Sequence, residues 1–290
     1  MFRFAPRFIA LSFATIAYPA LAAGDLLVAP TRVVLDGPRG TEVFLNNVGQ
    51  QPATYRISME LKRMLPSGQV EDVAPAAASD KEKATLAMIT YAPRRVTLAP
   101  NQPQAIRIGV RPPADLPDGE YRAHILFRAI PDATAPAPAP AAAGPTQGVS
   151  IALTPIYGVT IPIIVRKGSL KVTAAISGIQ KVRIDPTTNA ILAAKAKPGE
   201  AAPVDAISFT LARTGTRSTY GRIRVTKAGI AKPLFEARGI AVYTDVAARV
   251  VTLPISPEVA AQLVGPTRVE YLEDMDTGGG MIAEAQVVIR

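Results

Sequence analysis

Ile151-Ala152-Leu153-Thr154-Pro155-Ile156-Tyr157-Gly158-Val159-Thr160-Ile161-Pro162-Ile163-Ile164-Val165 is the stretch whose reading decides this chain's fold. Ile151, Leu153, Pro155, Tyr157, Val159, Ile161, Ile163 and Val165 all fall on one parity. Side chains alternate across a strand, so a single parity of apolar residues marks one long strand face. At roughly sixteen residues the run far exceeds the usual five or six. A strand that long reaches from one domain into the next. Pro155 and Pro162 lack an N–H, which puts part of the strand at a sheet edge. A long apolar edge is an aggregation hazard unless a partner covers it. The alternative reading of the same pattern is an ordinary strand buried inside a sandwich.

Shorter segments of the same kind lie on either side. Tyr55, Ile57, Met59 and Leu61 alternate with polar residues, as do Ile106, Ile108 and Val110, and Tyr121, Ala123, Ile125 and Phe127. Leu27–Leu35, Thr41–Asn47 and Ala87–Leu98 are further candidates. Turn signals such as Asp36-Gly37-Pro38, Pro66-Ser67-Gly68 and Pro117-Asp118-Gly119 recur between them. Short alternating strands between such turns predict an all-β sandwich. Ala74–Ala84 reads as a loop or short helical turn, and 132–148, with Ala-Pro-Ala-Pro-Ala-Pro, as a semi-rigid connection. After the long strand the style repeats at Leu170–Ala175, Ile191–Ala196, Ile207–Ala212, Gly221–Val225, Gly239–Tyr243, Arg249–Leu253, Arg268–Leu272 and Met281–Ile289, with one short helix at Pro257–Leu263. A second sandwich is the simple reading.

Composition closes off most catalytic chemistry. The 290 residues include no Cys and one His, His124. That excludes disulfide scaffolds, thiol nucleophiles, thiolate metal sites and two-histidine zinc centres. No nucleophile elbow, Walker or dinucleotide motif occurs. Glu270, Glu273, Asp274 and Asp276 form an acidic cluster, but it lacks the spacing of a calcium loop and reads as paired structural charges. The expectation is a protein without enzymatic activity, cofactor or metal. The formal charge is +9, with the basic residues scattered, so nucleic acid is not an expected partner.

Residues 1–23 have the order of a cleavable secretory signal: Arg3 and Arg7, an apolar run Phe8–Tyr18, then Ala20-Leu21-Ala22. Its removal lowers the charge by two. No later segment is apolar for long enough to span a bilayer, so a soluble exported protein without membrane insertion is expected.

An ordered series of motifs is more specific. Thr31-Arg32-Val33-Val34-Leu35-Asp36-Gly37 precedes a strand ending in Asn46-Asn47, then Pro52, Ala92-Pro93 and a turn at Leu98, Pro100 and Gln102. Ile106-Arg107-Ile108, Leu116-Pro117-Asp118-Gly119-Glu120-Tyr121-Arg122 and Ile130-Pro131 follow. In this order the string resembles the first domain of the PapD-like periplasmic pilus chaperones of chaperone–usher systems. The resemblance covers residues 25–131. It continues more loosely through 149–166 and into Val269-Glu270-Tyr271 and Asp274.

The resemblance implies two immunoglobulin-like sandwiches set in an L, at 24–166 and 167–290, in a periplasmic protein of pilus and cell-wall organisation. Its implied partners are a pilus subunit lacking its final strand and an outer-membrane usher. The strand lent to the subunit spans 149–166, with Ile151, Leu153, Pro155 and Tyr157 as donors, in a register open by about two residues, one repeat of a strand face. Arg32 matches the anchor for the subunit's C-terminal carboxylate. Pro162 stands where the family has a second anchor, a Lys, so that Lys167 or another base takes its place or the anchor is half missing. Glu120, Arg166 and Asp274 match an interdomain charge network, with Asp276 competing for the last position. A PapD-like scaffold that has left pilus assembly is the alternative, and the exposed edge leaves self-association open.

Overall fold

Strand β11 (Gly158–Lys167) is the axis of the first half of the molecule. In this computed structural model the described residues are 25–37, 39–131, 156–188, 202–274 and 278–289. The leader, the connection 132–148, the expected strand Ile191–Ala196, Asp276 and three expected donors (Ile151, Leu153 and Pro155) lie outside them.

β11 sits inside a five-stranded sheet with β2 (Val33–Asp36), β10 (Gly119–Ile130), β4 (Ala53–Glu60) and β8 (Arg95–Leu98), ordered β2-β11-β10-β4-β8. A four-stranded sheet faces it: β1 (Leu26–Ala29), β3 (Thr41–Asn47), β9 (Pro103–Val110) and β7 (Ile89–Ala92), ordered β1-β3-β9-β7. Inward residues of both sheets form one core, in which Tyr55, Phe127, Ile106, Ile125 and Ile163 are fully buried. Each such side chain contributes about 1.5–3 kcal/mol. Odd-numbered Ile161, Ile163 and Val165 point into this core, as the single parity of the sequence requires.

The second sandwich pairs β12 (Val172–Ile184), β13 (Val204–Gly215) and β16 (Ala248–Pro254) against a sheet ordered β15-β14-β17-β18. Those four are β14 (Thr219–Lys227), β15 (Phe235–Val242), β17 (Gly265–Glu273) and β18 (Met281–Ile289). Ile207, Phe209, Ile223, Val269 and Tyr271 fill its core. Helix α2 (Pro257–Gln262) lies where Pro257–Leu263 suggested one. The fold is all-β with two sandwiches, as expected.

Three local expectations are corrected. Leu27–Leu35 is two strands in opposite sheets, because Pro30 has no N–H to continue a ladder. The switch lets Val28 on one sheet and Val33 and Leu35 on the other reach the same core. Ala87–Leu98 divides likewise at Pro93. The Ala-rich stretch ends in a true helix, α1 (Asp80–Met88), opened by a reciprocal cap. Ser79 Oγ accepts from the Glu82 N–H at 3.3 Å, and the Ser79 N–H donates to Glu82 Oε2 at 2.8 Å. A two-stranded ribbon, β5 (Lys62–Met64) and β6 (Val70–Asp72), flanks the turn Pro66-Ser67-Gly68. Its three-residue strands are too short to show a period.

Candidate functional site

The even-numbered residues of β11 point away from the first core, yet Ile164 is 0% exposed. Ala241 and Tyr243 of the second sandwich cover it, together with Met64. The junction between the sandwiches is therefore built on this face of the β2-β11-β10 surface.

Arg32 precedes β2 at that junction. Its guanidinium carbon lies 4.4 Å from the ring centroid of Tyr220 in the second sandwich. Nε and Nη2 are both buried and have no hydrogen-bond partner. Burial holds its pKa below the ordinary arginine value, with Arg166 as a neighbouring positive charge. Buried N–H groups on a cation with no acceptor are costly, and a carboxylate is the group that satisfies a planar guanidinium best.

Glu120 and Arg166 face each other across β10 and β11, with Arg166 Nε 3.1 Å from Glu120 Oε2. The same oxygen accepts the backbone N–H of Ser218, from the second sandwich, at 3.1 Å. Glu120 thus ties the two halves together. Asp274, the third expected member, follows β17, where its N–H donates to the Tyr220 carbonyl at 3.3 Å. Its neighbour Glu273 pairs with Arg217 at 2.9 Å, and Glu270 lies within 3.6 Å of both Arg224 and Arg268. Two members of the acidic cluster are thus paired with arginines.

Pro162 lies directly opposite His124 of β10. Lys167, the base nearest in sequence, is committed elsewhere: its ammonium donates to the carbonyls of Pro113, Ala114 and Leu116. Three carbonyls use its three donors.

Tyr157 is the described end of the expected donor strand. Its carbonyl accepts from the Ala129 N–H at 2.9 Å, and its residue surface is 52% exposed. β10 pairs with β11 along Gly158–Lys167. On the other side β2 pairs only with Ile163–Arg166, in parallel. The edge of residues 158–162 has no strand partner among the described residues.

Sequence reasoning did not single out Tyr220, Tyr243, Ser218 or Asp245. Aromatic residues and single polar residues in a second domain carry no period or spacing that points to a distant partner.

His124 is buried on the face that carries Arg122. Burial first, then the charges of Arg122 and Lys62, push its pKa from 6.5 down to about 3. The folded protein holds the neutral ring, so this stability is fully present above pH 6.5 and is lost as pH falls toward 3. Between pH 7 and 5 the loss should be about 2 kcal/mol. Urea unfolding at the two pH values reads it. His124→Gln should flatten the difference, and an unchanged difference in that variant would refute the assignment.

No family model matches the chain, and no curated protein matches it. Among solved structures it is similar to the YadV chaperone, at TM-score 0.45 and 13% identity over 91% of this chain and 100% of that one. It is also similar to a chain of the Salmonella enterica SafA pilin–SafB chaperone complex, at TM-score 0.43 and 18% identity over 93% and 98%. A third is from the CsuC–CsuE chaperone–tip adhesion subunit pre-assembly complex of Acinetobacter baumannii, at TM-score 0.40 and 12% identity over 91% and 98%. Among the described residues no helix is long and apolar enough to cross a membrane.

Proposed function

We propose that this chain is a periplasmic, non-enzymatic chaperone that caps a pilus subunit by lending it a strand and passes it to an outer-membrane usher. The observation that carries the reading is the open edge of β11. Residues 158–162 are held by β10 on one side and have no strand on the other among the described residues. An incoming strand gains backbone hydrogen bonds along such an edge, and alternate side chains fill its pockets. Tyr157 would be the first donor, followed toward the N-terminus by Pro155, Leu153 and Ile151. Arg32, beside the edge with buried unpaired N–H groups, would take the subunit's terminal carboxylate. Glu120, Arg166 and Asp274 would hold the two sandwiches in register for it. The exchange is strand for strand and needs no nucleotide.

The second reading is a diverged scaffold for another envelope protein. Pro162 favours it, because a proline cannot pair with a carboxylate and Lys167 is committed to carbonyls. Mild purification from the native periplasm followed by intact-mass analysis separates the two. A stoichiometric partner of about one domain's size, lacking a last strand, supports the chaperone reading. A bare monomer or homodimer, despite co-expressed pilins, supports the scaffold.

A further inference from the structure

The ribbon β5–β6 belongs to the first sandwich by sequence, yet its contacts reach the second. Met64 is only 4% exposed, and its side chain joins Ile164, Ala241 and Tyr243 rather than the first core. Its N–H donates to Asp245 Oδ2 at 2.9 Å. The Pro66 carbonyl at the ribbon tip accepts the Val250 N–H at 2.8 Å. Gly68, at φ +85°, lies against the Arg249 guanidinium, which a Cβ there would meet at 2.4 Å. Arg249 in turn donates to the Ala241 carbonyl at 2.9 Å.

Asp245 joins these contacts to the sheet. Its carboxylate also accepts from Arg122 of β10. Arg122, with a side chain 5% exposed, lies 3.8 Å from the Tyr243 ring centroid and donates to the Lys62 carbonyl at 3.0 Å. The carboxylate thus holds a ribbon amide and a sheet guanidinium at once, while Tyr243 lies against that guanidinium.

We propose that the ribbon is a clamp that fixes the angle between the two sandwiches, with Asp245 as its pin and Arg122 as its seat. The sheet itself meets the second sandwich at Glu120–Ser218, Arg32–Tyr220 and Ile164–Tyr243. The ribbon adds contacts from outside that sheet, at Met64 and at its tip Pro66, so that two elements rather than one hold the second sandwich. This does not depend on the chaperone reading, because the angle exists without a client.

The chain has no cysteine, so two introduced cysteines give unique labels. Arg107→Cys and Glu258→Cys place a spin label on an exposed residue of each sandwich. The otherwise unaltered chain should give one narrow interlabel distance distribution. Asp245→Ala should widen it at least twofold while circular dichroism shows both sandwiches folded. Should that variant fail to fold, Val250→Pro decides. It removes the N–H given to Pro66 on an edge strand and should widen the distribution in the same way. A width unchanged in the folded variant would overturn the clamp.

Discussion

Arg32→Ala should weaken capture of a subunit's terminal carboxylate about a hundredfold and leave the fold intact. The proposed pair is a guanidinium against a carboxylate in a partly buried junction, and truncating one partner of such a pair costs roughly 2–5 kcal/mol. A value near 3 kcal/mol corresponds to the hundredfold loss. The fold should tolerate the change because Arg32 precedes β2 rather than filling a core, and because the lost stack on Tyr220 is offset by removing two buried N–H groups that have no acceptor. Arg32→Lys should recover only part of the affinity, since an ammonium keeps the charge but loses the planar fork. Titration of a client peptide ending in a free carboxylate, and of the same peptide amidated, reads both effects. The amidated peptide should bind the parent chain as weakly as the acid binds Arg32→Ala. Equal affinity of Arg32→Ala and the parent chain for the acid would end the anchoring role.

Leu153→Glu should cost capture at least about 2 kcal/mol, because it places an unpaired charge in the apolar groove that a donor side chain would enter. The position lies on the parity of Val159, Ile161 and Ile163, and the last two of these are buried in the first core. Leu153→Ile keeps the volume and should bind within about 1.5 kcal/mol of the parent. The comparison is made at Ile151 as well, because the register is open by one repeat of the strand face. A loss at Ile151 with none at Leu153 shifts the register. No loss at either position removes the donor role from the strand.

The strands were legible where their own side chains alternate. Tyr55, Ile57 and Met59 on β4 and Ile106, Ile108 and Val110 on β9 could be read one residue at a time, because burial of one face imposes the period. Sheet membership was less legible. Leu27–Leu35 carries apolar runs on both sides of Pro30-Thr31-Arg32, and nothing in those three residues says that the second run joins the other sheet. Helix α1 carried a readable signal in Ser79 and Glu82, three apart, which the alanine content masked. At the junction, the motif order led to Glu120 and Arg166, which do meet. Their partner in the second sandwich is a backbone amide, that of Ser218, which has no side-chain signature. The ribbon contacts join residues about 180 positions apart, as Met64 and Asp245 do, and no local pattern encodes them.

β2 runs parallel to β11 and begins its pairing at Ile163. On the proposed reading it would work as an end stop. A strand laid along residues 158–162 would meet Val33 beyond Arg32 and would have to leave the sheet there, which suits a chain that ends at Arg32. A strand that ends there with its carboxylate on Arg32 travels in the direction of β11, in line with β2. Parallel ladders are slightly less stable per residue than antiparallel ones. Under the proposed function such a guest would be measured against a fixed wall, yet held in the slightly weaker of the two ladder types.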